Sequence, residues 1–119
     1  MAAANLNTNK VTAEYNNIKA GTLTALDGTD GGVYTVSNPD AETLFVIVNT
    51  DSSNAETVAI KAPTNPALGV GTGALTDKEV SVAKSTTAVA MIESMRYMNA
   101  DGTIKITGSA DVKVLVVEM

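Results

Sequence analysis

The strongest constraint on this chain is an apolar–polar alternation with a period of two residues, which recurs in short runs from Gly21 onward. Most runs are rich in β-branched residues and end at a cluster of small, polar or turn-forming residues. Successive side chains of a strand point to opposite faces, so this period favours strands. No window of about eleven residues carries an apolar stripe at helical spacing. The pattern therefore predicts an all-β chain.

The expected strands are short, with turn signals about every 8–12 residues. The clearest is residues 43–49, Thr-Leu-Phe-Val-Ile-Val-Asn, because it is dense in β-branched and aromatic residues. Together the expected strands cover residues 23–26, 33–36, 43–49, 56–61, 79–82, 87–92, 103–107 and 112–117. About eight short strands closed by turns are typical of an antiparallel β-sandwich or a jelly-roll-like barrel.

The first twenty residues have a different character. They hold five asparagines and few large apolar side chains. We therefore expect an N-terminal arm over residues 1–20 and one β-sandwich domain over residues 21–119, a size that suits a single domain. Residues 11–15 of the arm are suited to adding a strand to a neighbouring molecule, and a frayed terminus is the alternative.

The composition argues against most catalytic chemistry. The chain has no cysteine and no histidine, which removes disulfides, thiol nucleophiles, Cys/His zinc sites and the commonest general base. The carboxylates are spread through the expected turns, where we expect them to be solvated. The many serines and threonines have no ordinary base to activate them. We therefore expect no enzyme, no cofactor and no metal site.

Charge and hydropathy exclude two further classes of partner. Thirteen acidic and eight basic residues give a net charge of −5, the wrong sign for binding nucleic acid through its phosphates. The longest apolar runs are far shorter than the roughly 20 residues that cross a bilayer, so we expect no membrane segment. The first residues do not resemble a signal peptide, which predicts synthesis in the cytoplasm.

Several expected strands are apolar on both faces. Leu44, Val46 and Val48 share one face of their strand, and Phe45 and Ile47 make the opposite face apolar too. Residues 88–92 and 112–117 repeat this pattern. One small core covers only one face of a sheet, and monomers rarely expose large apolar patches. The second face therefore needs the arm, a long loop or another subunit to cover it.

The run Asp-Gly-Thr-Asp-Gly-Gly at residues 27–32 has two interpretations. The carboxylates of Asp27 and Asp30, with nearby carbonyls, are oxygen ligands of the kind that calcium prefers. The spacing of an EF-hand and a third nearby carboxylate are both missing. We therefore favour a glycine-rich hairpin loop that needs positive φ angles.

Two other segments are candidates for contact with a partner. Residues 62–77 contain two prolines and the run Gly-Val-Gly-Thr-Gly, which does not match the spacing of a phosphate-binding loop. We interpret them as one long surface loop, and loops of this length are often functional. Arg96, the sole arginine, lies beside Tyr97 and either pairs with a carboxylate of a partner or closes a turn.

The order of strands and turn dipeptides over residues 33–119 resembles a known family. The segments that carry the resemblance are residues 43–50, 57–60, 80–86, 89–93, 96–97 and 99–107, followed by the apolar last strand. In this order they are similar to the small β-sandwich decoration (cement) proteins of tailed-bacteriophage heads.

The resemblance implies a non-enzymatic structural protein that binds the outer surface of an assembled phage capsid and bridges neighbouring capsid subunits. Its partners would be the major capsid protein and further copies of itself, in a homo-oligomer such as a trimer. It would reside on the capsid exterior of the virion. The contacts expected with the capsid or another subunit are Val11, Tyr15, Ile18, Phe45, Ile47, Leu68, Val70, Leu75, Arg96 and Tyr97.

Two other functions fit the same expected fold. One is a different virion component, such as a tail, neck or fibre module. The other is a carbohydrate-binding or adhesin β-sandwich. Sugar platforms usually present tryptophan or tyrosine faces, and this chain has no tryptophan and three tyrosines, which disfavours sugar binding.

Overall fold

The structure, a computed structural model, describes residues 3–6, 8–10, 23–64 and 76–118. The elements in these ranges are β1 (Ala4–Asn5), β2 (Thr8–Lys10), β3 (Thr24–Ala25), β4 (Gly32–Thr35), β5 (Glu42–Asn49), β6 (Glu56–Ile60), β7 (Lys78–Val82), β8 (Thr87–Glu93), α1 (Ser94–Tyr97), β9 (Thr103–Thr107) and β10 (Val112–Glu118). Strands β3 to β10 match the alternating runs of the sequence to within a residue or so at each end, which confirms the predicted strands.

The strands form two sheets. Sheet A has the order β1-β4-β9-β6-β7, and sheet B has the order β2-β10-β5-β8, with β3 also paired to β10. Neighbouring strands run antiparallel except for β1 with β4 and β2 with β10, which are parallel. The sheets pack face to face, and this confirms the predicted all-β sandwich.

The core lies between the sheets and takes alternate residues from each strand. Tyr34 of β4 and Phe45 of β5 meet edge to face, with ring centroids 6.3 Å apart and an interplanar angle of 89°. This geometry places the positive edge of one ring on the negative face of the other. Other apolar side chains of this core that are at most 1% exposed are Ile47, Val58, Ile60, Val82, Ile104, Ile106, Val112, Val114 and Val116.

The position of Phe45 and Ile47 corrects the expected set of contact residues. Both side chains are fully buried between the two sheets of their own chain. The odd-numbered residues of β5 point inward, so the apolar side chains available on its other face are Leu44, Val46 and Val48. Phe45 and Ile47 therefore hold the sandwich together and present no surface to a partner.

The described part of the N-terminal arm belongs to both sheets. Strand β1 pairs with β4 at the edge of sheet A, and β2 pairs with β10 in sheet B. Between them, Leu6 is 7% exposed and joins the core. The arm thus crosses from one sheet of its own domain to the other. Residues 11–20, which include the expected added strand, lie outside the described residues.

The turn at residues 27–31 supports the glycine-loop interpretation. Asp27 Oδ1 accepts hydrogen bonds from the backbone N–H of Thr29 at 2.8 Å and of Asp30 at 3.2 Å. These bonds, that of Thr29 first, hold the pKa of Asp27 below its usual value. Gly31 has a φ of +72°, and a Cβ there would lie 2.1 Å from the carbonyl oxygen of Ile106. The positive φ expected of a glycine in this loop is confirmed.

A buried amide ties β5 to the turn between β7 and β8. The side chain of Asn49 is 1% exposed, and its Nδ2 donates to the carbonyl oxygens of Asn54 and Val82 at 3.0 and 3.1 Å. Its Oδ1 accepts from the N–H of Asp51 at 2.9 Å. Polar groups inside a protein are tolerated when they are hydrogen-bonded, so Asn49 fixes this end of the sandwich at little cost.

Candidate functional site: the outer face of sheet B

Sheet B has a second apolar face, which points away from the core. Leu44, Val46 and Val48 of β5 lie on it. In the cross-strand register, Leu44 stands between Met91 of β8 and Val117 of β10. Val46 stands in the same way between Val89 and Leu115. We call the surface formed by these seven side chains the outer face.

The outer face is open on one side only. Val89 is 60% exposed and Met91 is 46% exposed, the largest exposures of big apolar side chains in the described chain. Leu115 and Val117 on β10 are only 6% and 7% exposed. The β5 residues between them are half-buried. The accessible part of the face is therefore formed by β8 and β5.

Charged residues mark the two ends of the outer face. At one end, Glu42 of β5 stands directly opposite Glu93 of β8, and both side chains are exposed. At the other end, exposed Lys113 of β10 stands opposite Val48. The surface thus runs from an acidic end through an apolar middle to a basic end.

A pocket of about 350 Å³ opens at the acidic end. It is lined by Pro39, Asp40, Ala41, Glu42, Glu93, Ser94 and Met95. Three of these residues are acidic, so the pocket suits a cationic side chain better than an anion. In protein interfaces, apolar area supplies attraction and charge selects the partner, and this end of the outer face has both features.

Four polar side chains are buried beneath this end. Thr43 Oγ1 and Ser94 Oγ are 2.5 Å apart, and Ser94 Oγ donates to the carbonyl oxygen of Ala41 at 2.6 Å. Glu118 Oε2 accepts from the N–H groups of Ser37 and Asn38 at 3.2 and 3.1 Å. These hydrogen bonds join the β4–β5 connection to α1 and to the last strand. The hydroxyl of Tyr34 and Oε1 of Glu118 are buried with no hydrogen-bond partner among the described residues.

Burial and hydrogen bonding set the protonation of this buried group. Burial raises the pKa of Tyr34 far above its usual value, so its hydroxyl stays protonated. Burial also raises the pKa of Glu118, but the hydrogen bonds that its carboxylate accepts, among them those from the N–H groups of Ser37 and Asn38, outweigh it, and the net pKa is lowered. Glu118 is therefore a buried carboxylate, 2% exposed, that is charged at neutral pH.

Three carboxylates meet at the opposite end of the sandwich. Asp51, Glu56 and Asp111 each place an oxygen within 4.8 Å of the others. The N–H groups of Ser53 and Asn54 lower the pKa of Asp51, whereas burial, followed by the Asp51 carboxylate, raises that of Glu56. The cluster supplies three oxygen donors of the about six to eight that calcium takes.

The expected contact residues fall into three groups. Phe45 and Ile47 are in the core. Arg96 is exposed on α1, and the neighbouring Tyr97 is half-buried and packs on the core, so their side chains have different environments. The arm and loop residues of the set, Val11, Tyr15, Ile18, Leu68, Val70 and Leu75, lie outside the described residues.

The surplus apolar face follows from the two-faced strands, but the predicted contacts Phe45 and Ile47 lie on the inward side of β5, and Val89 and Met91 are not among the predicted contacts. A local signal for the right side exists. Glu42 shares its parity with Leu44 and Val46, whereas the inward parity of β5 carries only uncharged residues. Since a charge without compensating partners rarely points into a core, Glu42 favours the outward side for Leu44 and Val46. Glu118 at the end of β10 does point inward, and its carboxylate accepts two backbone hydrogen bonds there.

No helix among the described residues is long and apolar enough to cross a membrane. Comparison of the chain with protein families, with curated proteins and with solved structures gave no match.

Proposed function

We propose that this chain is a non-enzymatic structural protein of a phage virion, which binds the outside of the assembled capsid and stabilises it by bridging neighbouring capsid subunits. The observation that carries this proposal is the outer face of sheet B. The domain has already filled its core, yet it presents a further apolar strip with Val89 and Met91 exposed. Such a strip is typical of a protein that acts by association.

Repetition would make weak contacts effective. The accessible strip is formed mainly by two strands, so it supports a modest interface rather than a large one. On a capsid the same contact recurs many times, and a copy bound at two points is held by effective concentration as well as by affinity. A rigid sandwich suits this task because it keeps its contact surfaces at a fixed separation.

The arm and the long loop would add further capsid contacts to those of the outer face. The loop leaves and rejoins sheet A at a fixed base, because Lys61 Nζ lies 2.7 Å from Asp77 Oδ2 and the N–H of Ala62 donates to Asp77 Oδ1 at 2.7 Å. The Lys61 ammonium, first, and this N–H hold the pKa of Asp77 below its usual value. These contacts hold the two described ends of the segment, at Lys61 and Asp77, close together.

Copy number in purified particles tests the proposal. Quantitative mass spectrometry of the virion should give a ratio to the most abundant shell protein near one, or near a simple fraction such as one-third. A few copies per particle would move the protein to the tail or neck. Its absence from the particle would refute a structural role.

Binding to isolated capsids tests the assigned contacts. Leu68→Asp combined with Val70→Asp should reduce binding at least tenfold, because a charge at a desolvated contact is unfavourable by a few kcal/mol. Ser81→Asp, at an exposed position of β7, introduces a charge elsewhere and should leave binding unchanged. Equal binding by the loop variant and the unchanged protein would refute the loop assignment.

A further inference from the structure

We infer that the outer face of sheet B is a self-association surface, on which a second copy of this chain packs face to face with its strands antiparallel. This inference goes beyond the proposed function, because it concerns the free protein and needs no capsid. The expected assembly is a dimer, and charges at the two ends of the face would align its two copies.

The register of sheet B arranges the outer face in four rows. Two residues of a strand rise about 6.8 Å, so successive rows are about 7 Å apart. In order, the rows are Glu93–Glu42, Met91–Leu44–Val117, Val89–Val46–Leu115 and Thr87–Val48–Lys113. The two apolar rows are therefore flanked by an acidic row on one side and by the row of Lys113 on the other.

The acidic row is unfavourable in the isolated chain. Like charges directly opposite each other on neighbouring strands are destabilising. Among the described residues, no lysine or arginine forms an ion pair with Glu42 or Glu93. A cation supplied by a partner would remove this repulsion, and the pocket beside the two carboxylates has room for a lysine ammonium group.

In a symmetric dimer, Lys113 of the second copy can supply the cation that the acidic row lacks. A two-fold axis across the strands, midway between the two apolar rows, lays each apolar row on the other apolar row of the second copy. The same operation lays the Lys113 row on the Glu42–Glu93 row, at both ends of the interface. Because β10 then lies over β10, Lys113 meets this row one strand away from Glu42 and two strands away from Glu93, so Glu42 is the carboxylate that it reaches. An axis along the strands would instead bring the acidic rows of the two copies together. Charge thus selects the antiparallel arrangement.

The apolar area that is still exposed on the outer face limits the strength of this contact. Leu115 and Val117 are already buried, so the second copy contacts mainly Val89, Met91 and the half-buried side chains of β5. Lys113 lies at the margin of this area with its side chain exposed. The expected interface is small, which corresponds to a weak and salt-sensitive dimer in the micromolar range.

Sedimentation equilibrium of the full chain tests the association. We expect a monomer–dimer equilibrium whose Kd rises when salt is increased from low ionic strength to about 0.5 M, where screening acts over a few ångströms. A chain that stays monomeric at high micromolar concentration would overturn the inference. A trimer or a larger assembly with no dimer would overturn it as well.

A charge swap tests the alignment. Lys113→Glu should raise the dimer Kd at least about tenfold, because a two-fold interface contains each contact twice. Glu42→Lys with Glu93→Lys should do the same, and the triple variant should return to within about threefold of the unchanged protein. Lys105→Glu, at an exposed position of β9 in sheet A, is the matched control and should have no effect. A triple variant as weak as its parents would refute this alignment.

Two measurements separate this inference from other outcomes. Far-ultraviolet circular dichroism must show each variant folded, and Val89→Asp, which places a charge in an apolar row, should abolish the dimer on its own. Capsid binding measured with the same variants is the second readout. If the unchanged chain is monomeric and Val89→Asp loses only capsid binding, the face belongs to the capsid and the dimer is refuted, whereas the proposed function stands.

Discussion

The two faces of β5 are almost equally apolar in sequence, yet they have different roles in the molecule. Phe45 and Ile47 on the inner face are fully buried against sheet A. Leu44, Val46 and Val48 on the outer face are half-buried, and their neighbours on β8 are exposed. The difference shows that hydrophobicity alone does not mark a core. What marks it is the closure of the second sheet over one face.

The inner and outer faces of β5 should also contribute to different properties: the inner face to the stability of the fold, and the outer face to binding. Apolar area that is buried within the chain stabilises the fold in proportion to the area removed from water. Apolar area left on the outer face contributes little until a partner covers it. Substitutions on the inner face should therefore lower the free energy of unfolding, and substitutions on the outer face should mainly weaken binding.

The largest difference in the cost of an alanine substitution is expected between two adjacent residues of β5. Phe45→Ala removes a fully buried ring that contacts Tyr34, and it should lower the free energy of unfolding by about 3–5 kcal/mol. Leu44→Ala removes a half-buried side chain and should cost roughly 1 kcal/mol. Urea unfolding of the monomer measures both. Equal costs would show that the outer face is packed as tightly as the core.

Alanine substitutions at two glycines with positive φ should also differ in their cost to stability, with the larger cost at the more crowded position. Gly31 has a φ of +72°, and an added Cβ would collide with the Ile106 carbonyl, so Gly31→Ala requires the backbone to move. Gly102 has a φ of +86° and nothing within 4 Å of an added Cβ. Gly102→Ala should cost about 1–2 kcal/mol for the left-handed conformation alone. Gly31→Ala should cost more, about 3 kcal/mol or above.

The measurement is the midpoint of thermal unfolding for both alanine variants. A smaller downward shift for Gly31→Ala than for Gly102→Ala would contradict the close approach of the 27–31 turn to β9.

Glu118 provides a pH-dependent contrast between a buried and an exposed carboxylate. Its pKa in the folded chain is lowered, so its charge stabilises the fold above the usual glutamate pKa, and this stability is lost as pH falls through the folded pKa. Glu118→Gln should lower the free energy of unfolding at pH 7 by about 1–2 kcal/mol, since a charged acceptor is lost. The difference should shrink as the pH falls below about 4.3.

Unfolding in urea at several pH values checks this expectation. Glu93→Gln changes an exposed carboxylate at the same end of the sandwich and is the matched control. A difference between Glu118→Gln and the unchanged protein that is constant from neutral to acidic pH would contradict the charged state of Glu118.

Much of the fold could be predicted from the sequence because it depends on local pattern. Alternation and turn residues located the eight strands from β3 onward. The pairing of β1 with β4 and of β2 with β10 is not local, since it brings residues of the arm to strands far along the chain. Nothing in the asparagine-rich start of the chain distinguishes a strand that pairs within its own domain from a frayed terminus.

The sequence predicts that a surplus apolar face exists but not which side of β5 forms it, and the physical reason differs from that for the arm. A surplus apolar face follows from two-faced strands, but the side of β5 that faces the core depends on the register with β8 and β10. The pairing of Glu42 with Glu93 and the meeting of Asp51, Glu56 and Asp111 depend on the same register. Residues this far apart in sequence become neighbours only once the sheets are assembled.

The smallest effect is expected on the exposed edge of the outer face, where Val89→Thr replaces a methyl group by a hydroxyl. Val89 is 60% exposed on a strand, and both residues are β-branched, so the free energy of unfolding should change by less than about 0.5 kcal/mol. Val58→Thr makes the same chemical change at a side chain that is fully buried. It should cost about 1–3 kcal/mol, because the hydroxyl loses water in an apolar site.

Chemical denaturation at a low protein concentration, where the monomer is measured, compares the two threonine variants directly. Identical chemistry at both positions leaves burial as the variable, so the ratio of the two costs reports how fully each face of the sandwich is covered. A Val89→Thr cost as large as that of Val58→Thr would mean that the chain itself already covers the β8 edge of the outer face. In that case no exposed apolar surface would remain at this edge for a second copy or a capsid to bind.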